Sequence, residues 1–419
     1  MKKLFAISIA AVLIINFFSN VSCICYRTKE QVLDDIISWV VDNRQLAALN
    51  DIEYEFIATA DLRQKLTDDF EDENSRQVLE TNQELLEMLG LIEDDDDLYS
   101  IYLDLYTEQI AGYYDPAAKK IYVISDEGPL KVSDMMTFAH EVTHALQDQH
   151  YDLTALSEQA SDDSEYSMGI TSLIEGDAVL TQGLYYWTDL NQRERDIYTQ
   201  ESEQTDSANY DATPRYLQES LVFPYTYGYE FVLQLYQSGG WDAVNAVYDD
   251  PPKSMEQIIH PDKYAAAENP ITVALPDIET LLGNSWEIKT NGTVGEFDLK
   301  LILEAFITPS DDTINAAARW GGDKYIYLKH DTTDEKTLVV YSTWDAETDA
   351  QEFFDLYSDN KAGTDINSNT WILSSDESNT KVWAADSQIT YLEISGDDVL
   401  LMVAPNSTIA DTVRNAILP

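Results

Sequence analysis

His140-Glu141-Val142-Thr143-His144 reads H-E-x-x-H. Residues four apart on an α-helix project from one face, so both imidazoles can reach a single Zn²⁺. Glu141 stands on the metal side, beside the place of a coordinated water, where a carboxylate can take that water's proton. The flanks suit a helix. Ser133 or Asp134 offers a cap, and Phe138, Ala139, Val142, Ala145 and Leu146 supply an apolar body. The competing reading is an amphipathic helix whose His and Glu merely face solvent. The chain has five histidines, His140, His144, His150, His260 and His330. With so few, a chance H-E-x-x-H is expected in fewer than about 1 in 100 such chains. The spacing favours the metal.

A hydrolytic zinc site takes three protein ligands and keeps a position open. His150 lies where the longer pattern H-E-x-x-H-x-x-G-x-x-H has its third histidine, but Gln147 occupies the place of the turn glycine. If the helix runs on through Asp148, His150 comes round on another face. Glu175, in Leu173-Ile174-Glu175-Gly176-Asp177-Ala178, is the stronger candidate, an acid within an apolar helical segment (Thr171 to Trp187). Asp177 is available behind it. Asp162, Asp163 and Glu165 are the remaining acidic candidates, and in so acidic a chain Glu175 also reads as a surface acid.

Across 419 residues the chain carries 77 Asp and Glu against 25 Lys and Arg, a net charge of −52. That surface repels nucleic acid and anionic lipid, which excludes nucleic-acid partners. It suits a protein working at high salt, where screening quenches self-repulsion. Stability should then rise with molar salt, and full stability in dilute buffer would sink the halophilic reading. Hydrophobic content of 44% predicts folded domains.

Lys2 and Lys3, the apolar run Leu4 to Phe18 and the small residues Ser19 to Ser22 have the form of a signal peptide over 1–25. The run is shorter than the ~20 residues of a membrane span, so membrane attachment is expected only through the N-terminus. Both cysteines, Cys23 and Cys25, fall here, leaving the mature chain without disulfides or thiolate nucleophiles. Val21-Ser22-Cys23 resembles a bacterial-type lipoprotein site, with lipidation at Cys23, although Asn20 departs from its aliphatic position. The chain is read as secreted or cell-surface. Asn291-Gly292-Thr293 and Asn406-Ser407-Thr408 are glycosylation sequons.

Helical spacing marks Lys29 to Leu49, Leu62 to Leu91 and Leu98 to Ala111, with a short strand at Glu53 to Ala58. Ile121-Tyr122-Val123-Ile124 is a strand whose edge is expected to pair with an extended peptide. Ser157 to Ser167 is polar and reads as a loop over the site. Gly239-Gly240-Trp241 opens a further helix. From residue 291 onward, helices alternate with strands at Lys324–Lys329, Leu338–Thr343, Lys381–Ala384, Ile389–Ile394 and Val399–Val403, which predicts a smaller α+β domain.

Gln109 to Pro116, His140 to His150 and Glu175-Gly176-Asp177-Ala178, with Phe223-Pro224-Tyr225, Gly239-Gly240-Trp241, Pro251 to Pro261 and Trp320-Gly321-Gly322-Asp323, resemble a largely uncharacterised family of exported prokaryotic metallopeptidases. That family is similar to the gluzincins, in which two His of one helix and a Glu of a later helix hold zinc. The resemblance implies His140, His144 and Glu175 as ligands. The expected architecture is α+β, a mainly helical zincin-like domain with a small edge sheet over 26–270, a linker over 271–290 and the smaller C-terminal domain over 291–419. Thermolysin-like relatives have an Asp four residues after the Glu ligand. Here Val179 stands there, and Asp177 is the substitute for orienting a ligand His. Zincins add a His or Tyr donor to the oxyanion. His260 is the candidate, with Tyr225 and Tyr227 behind it, against the reading of His260 as an ordinary structural histidine.

The expectation is a zinc-dependent metallopeptidase acting on protein or peptide substrates, with Glu141 as general base. Its rivals are a zinc hydrolase or amidase on a non-peptide substrate, and a non-catalytic zinc protein of the cell surface. A third variant is a zymogen with residues before Leu98 as prosegment.

Overall fold

The computed structural model describes residues 28–71, 73–124, 130–160, 163–204, 207–385 and 387–418. The expected signal segment 1–25 with Cys23, and the ligand candidate Asp162, lie outside these. No helix among the described residues is long and apolar enough to cross a membrane.

The fold is α+β, and its described residues divide into two compact units, one holding those of 1–78, 97–161 and 167–252, the other those of 79–96, 162–166 and 253–419. The division falls at 252/253 rather than 270. Residues 253–270 go with the second unit because their polar groups are satisfied there: Met255 N donates to Glu165 Oε2 at 2.8 Å, and Lys263 Nζ to Asp345 Oδ2 at 2.9 Å. The expected linker is ordered too. Ile278 within it is fully buried, and the strand from Trp286 to Gly292 is paired.

In chain order the first segments are α1 (Lys29–Arg44), β1 (Glu53–Ile57), α2 (Thr59–Phe70), α3 (Glu73–Leu89), α4 (Leu98–Gln109), β2 (Gly112–Asp115) and β3 (Lys120–Ile124). Then come α5 (Val132–Tyr151), α6 (Leu153–Gln159), α7 (Ser164–Thr188), α8 (Gln192–Ser202), α9 (Ala208–Ala212) and α10 (Arg215–Val247). A capping box starts α1: Thr28 Oγ1 accepts from Gln31 N at 3.3 Å, and Gln31 Oε1 from Thr28 N at 3.1 Å. Leu33, Ile36 and Val40 form its buried stripe and meet Ile121 and Val123 of β3 and Phe138, Val142 and Leu146 of α5 in one core.

The three strands lie in the order β1-β3-β2, with β1 parallel and β2 antiparallel to β3. Both edges of β3 are therefore taken, and β2 is the edge strand antiparallel to it. The strand expected to receive a peptide is instead the central one. Helix α1 and strand β1, both before Leu98, contribute to the core and the sheet of the first unit.

The polar stretch Ser157 to Ser167 is largely helical rather than a loop. Asp152 Oδ1 caps α6 by accepting from Ala155 N at 3.2 Å, and Asp163 Oδ1 accepts from Tyr166 N at 3.1 Å at the start of α7. Such caps turn polar residues into helix starts. Helices α7 and α10 cross at a pair of glycines: a Cβ on Gly176 would lie 2.1 Å from Gly228 O, and one on Gly228 2.3 Å from Ser172 O. Only hydrogens fit there. Gly239 and Gly240 break α10 as the sequence suggests, with Gly240 at φ +67°.

The second unit continues through α11 (Met255–Ile259), α12 (Pro261–Ala265), α13 (Ile278–Leu282), β4 (Trp286–Gly292), α14 (Gly295–Glu304), α15 (Asp311–Ala317), β5 (Trp320–His330) and β6 (Lys336–Trp344). It ends with α16 (Glu347–Asn360), β7 (Gly363–Thr364), β8 (Thr370–Asp376), β9 (Thr380–Ala385), β10 (Gln388–Ser395), β11 (Asp398–Ala404) and α17 (Ser407–Ile417). One sheet runs β4-β5-β6-β11-β10-β9-β8-β7 with antiparallel neighbours. Ile326, Leu328, Val339, Leu400 and Met402 pack with Ala410 and Val413 of α17. Asp323 anchors the unit by accepting from Val294 N and Gly295 N at 2.8 Å and Trp320 Nε1 at 2.9 Å. Glu84, far away in sequence, accepts from Tyr327 Oη at 2.7 Å and Lys329 Nζ at 2.6 Å. The sequon residue Asn406 caps α17, accepting from Ile409 N at 3.1 Å.

Candidate metal centre

Helix α5 starts at Val132 with Lys131 as N-cap, and Asp134 reaches back to accept Lys131 N at 2.9 Å. It runs unbroken to Tyr151, burying every residue from Met136 to Asp148. His140 and His144 therefore share a face, and α7 brings Glu175 against them. His140 Nε2 lies 2.9 Å from His144 Nε2 and 3.1 Å from Glu175 Oε2, and His144 Nε2 lies 3.4 Å from the same oxygen. These three residues are the one His/Cys/Asp/Glu group among the described residues whose ligand atoms converge closely enough to hold a metal ion. All three are buried, with Glu175 4% exposed.

The fit to zinc can be tested on these distances. Ligands about 2.0–2.1 Å from a tetrahedral ion stand roughly 3.3 Å from one another. The observed separations of 2.9, 3.1 and 3.4 Å lie about that value. Two ring nitrogens aimed at each other and at one carboxylate oxygen also make poor mutual hydrogen-bond partners, whereas a cation between them satisfies all three. The electrostatics agree. Burial opposes charge on His144, yet the Glu175 carboxylate outweighs it and raises His144 to about 9. Burial would raise Glu175, but His144 and His140 pull it down to about 2. His140 is lowered by burial against Glu175. The Glu175 carboxylate draws positive charge to His144, whereas burial keeps it off His140. The residues fit the ion.

Glu141 is fully buried beside this group. Its Oε2 accepts from Tyr114 N at 2.8 Å, from strand β2, while Oε1 has no hydrogen-bond partner among the described residues. Burial pushes this carboxyl up to about 8, with His144 and the Tyr114 amide opposing and Glu175 adding. Tyr114 is fixed in turn by its hydroxyl, which donates to Asp148 Oδ2 at 2.6 Å.

His150 is turned away, its Nε2 2.8 Å from Ala47 O. Continuation of α5 past Gln147 removes it as a ligand. Asp163 caps α7, and Glu165 is buried in the second unit. Neither belongs to the converging group. Asp177 is fully buried but touches no ligand histidine. It accepts from Arg44 Nε at 2.6 Å, Arg44 Nη2 at 2.8 Å, Tyr248 Oη at 2.8 Å and Gln147 Nε2 at 3.0 Å. Gln147 makes the contact with the histidine, its Oε1 2.7 Å from His144 Nδ1. His260 belongs to the second unit, where its Nε2 lies 2.9 and 3.1 Å from the two Glu296 oxygens. The donor role expected of it finds no support in these contacts. Tyr225 has its ring centroid 6.3 Å from that of His140, whereas Tyr227 stacks on Phe223.

Sequence reasoning missed Tyr114, Gln147 and Arg44. The signal for Arg44 was present: it continues the stripe Leu33, Ile36, Val40, and a guanidinium on a buried stripe requires a buried acid.

Comparison with known proteins adds little beyond this geometry. A family model described as a domain of unknown function, DUF8575, matches residues 284–414, within the second unit. No curated protein matches the chain. Among solved structures, the extracellular domain of PknH from Mycobacterium tuberculosis is similar at 10% identity over 35% of this chain and 97% of that one, with a TM-score of 0.24.

Proposed function

We propose that this chain is an exported, gluzincin-like zinc metallopeptidase of the secreted or cell-surface compartment. His140, His144 and Glu175 would hold Zn²⁺. The ion would act there as a Lewis acid, polarising a scissile carbonyl and acidifying water. Glu141 serves as general base: Oε1 accepts a proton from the attacking water and returns it to the leaving amine. The Tyr114 amide keeps the other oxygen in place throughout. Tyr225, with its ring centroid 6.3 Å from that of His140, is the candidate for a phenol that donates to the oxyanion. An extended peptide would lie along β2, the edge strand that carries the Tyr114 contact. Attachment to a membrane would run only through the N-terminus.

The observation that carries this reading is Glu141. A converging His-His-Glu group alone serves a structural site equally well. A buried carboxyl beside it, one oxygen clamped by a backbone amide and the other without a partner among the described residues, is what a base requires once a bound cation favours its ionised form, and a structural site does not need it.

The test pairs metal analysis with a casein or peptide-library assay in high salt. Wild type should hold one zinc and cut. Glu141→Gln should keep the zinc and lose cutting, and Glu175→Ala should lose both. Zinc without peptide cleavage would move the reading to a non-peptide amidase or a non-catalytic surface protein. Absence of zinc would refute it.

A further inference from the structure

Gln147 is fully buried on α5 and faces the metal group. Its Oε1, 2.7 Å from His144 Nδ1, can only accept. Nδ1 therefore carries the ring proton, and the Nε2 lone pair is left for an ion. The amide cannot turn over. Its Nε2 is 2.8 Å from Tyr248 Oη, 3.0 Å from Asp177 Oδ2 and 3.0 Å from Ile174 O, and a flipped amide would set oxygen against a carboxylate and a carbonyl. Asp177 is anchored by the fully buried Arg44, whose Nη2 also donates to Asn245 Oδ1 at 2.7 Å and whose guanidinium lies 4.2 Å from the Trp241 ring. His140 has no such support, because its buried Nδ1 has no hydrogen-bond partner among the described residues. Orientation of the histidine pair thus depends on His144.

We propose that Arg44, Asp177, Gln147 and His144 form a positioning relay that fixes the metal-facing tautomer of His144 through a neutral amide. The inference rests on the zinc reading above and adds the residues that decide how tightly the ion is gripped. Arg44 and Asp177 act two steps away, and Gln147 is the positioning residue in contact. Because the acceptor is an uncharged amide, His144 gains less basicity than from a carboxylate partner. Glu175 is left as the one anionic ligand. Arg44 ends α1, so retention of the ion is tied to docking of the N-terminal helix.

Zn²⁺ affinity is measured on the full chain by chelator competition, with the visible spectrum of the Co²⁺-loaded protein and the thermal midpoint recorded alongside. Gln147→Met removes the acceptor and should weaken Zn²⁺ binding about 10- to 100-fold and alter the Co²⁺ bands. Gln147→Glu restores an acceptor and should hold Zn²⁺ within a few fold of wild type. Its second carboxylate facing Asp177 should nevertheless lower the midpoint further than Gln147→Met does. Thr181→Val, at a buried hydroxyl on α7 outside the relay, should leave affinity unchanged. Affinity and stability moving in opposite order across the Gln147 pair marks positioning rather than packing. Affinity that tracks the midpoint, or Gln147→Met binding within twofold of wild type, overturns the relay alone. A wild-type protein that takes up neither ion overturns the zinc reading and the relay with it.

Discussion

Replacing Gly176 by alanine puts a methyl carbon 2.1 Å from Gly228 O, 2.3 Å from Gly228 C and 2.9 Å from Tyr229 N. All three are backbone atoms of α10, so no side chain can swing aside. Bringing the nearest contact out to the 3.0 Å that real Cβ atoms respect means opening the α7–α10 crossing by about 0.9 Å, at the upper end of the roughly 1–3 kcal/mol seen for overpacking. Alanine returns about 1 kcal/mol of helix propensity, leaving a net loss near 2 kcal/mol. Gly183, two turns further along the same helix, is the control, because a Cβ there meets nothing within 4 Å. Gly183→Ala should stabilise by about 0.5–1 kcal/mol. For a unit of this size each kcal/mol shifts the midpoint by roughly 2–4 °C. Scanning calorimetry in molar salt should find Gly176→Ala about 4–8 °C below wild type and Gly183→Ala about 1–4 °C above. Because the strain falls next to Glu175, zinc content should drop in the first variant and hold in the second. Equal midpoints for the two variants would refute the argument from the crossing.

Arg44→Met leaves Asp177 as a buried charge without its cation and should cost about 3–5 kcal/mol. Since both side chains are fully buried, that loss should persist in molar salt, and disappearance on adding salt would count against it. In the second unit, the hydrogen bond that His260 donates to the Glu296 carboxylate raises His260 above its ordinary value against the opposing effect of burial. Its folded pKa exceeds the unfolded one, so the pair stabilises fully below about pH 6.5 and loses that contribution as pH rises through the raised value. The midpoint gap between wild type and His260→Gln should accordingly be larger near pH 5.5 than near pH 9. A gap independent of pH would show that the pair contributes nothing through its charge.

Much of helix α5 was legible because its information is local. Histidines four apart need only a helix to converge, and an acid in the apolar run around Glu175 marked the partner. Strands β5, β6, β9, β10 and β11 were readable for a similar reason: β10 and β11 are buried on successive positions and together rich in Leu, Ile and Val. What escaped were pairings between distant segments. Parallel contact of β1 with β3 joins Glu53 to Lys120, and nothing within Glu53–Ile57 names that partner. Arg44 and Asp177 are equally remote. Gln147 was noticed only as a departure from a glycine, although an amide one helical turn after His144 is placed to reach its Nδ1. The polar stretch after Ser157 misled because Asp and Ser mark helix starts as well as loops.

The interleaving of the two units along the chain has a consequence for modularity. Glu84 supplies acceptors for Tyr327 and Lys329, and Asn367 Oδ1 accepts from Asp94 N at 2.8 Å. The segment matched by the family model, 284–414, therefore lacks residues its own unit requires. Cutting the gene at residue 252 would strand 79–96 on the wrong product and deny the sheet its partner. Neither half is a cassette that recombination can lift out and reuse, and the two fold as parts of a single piece.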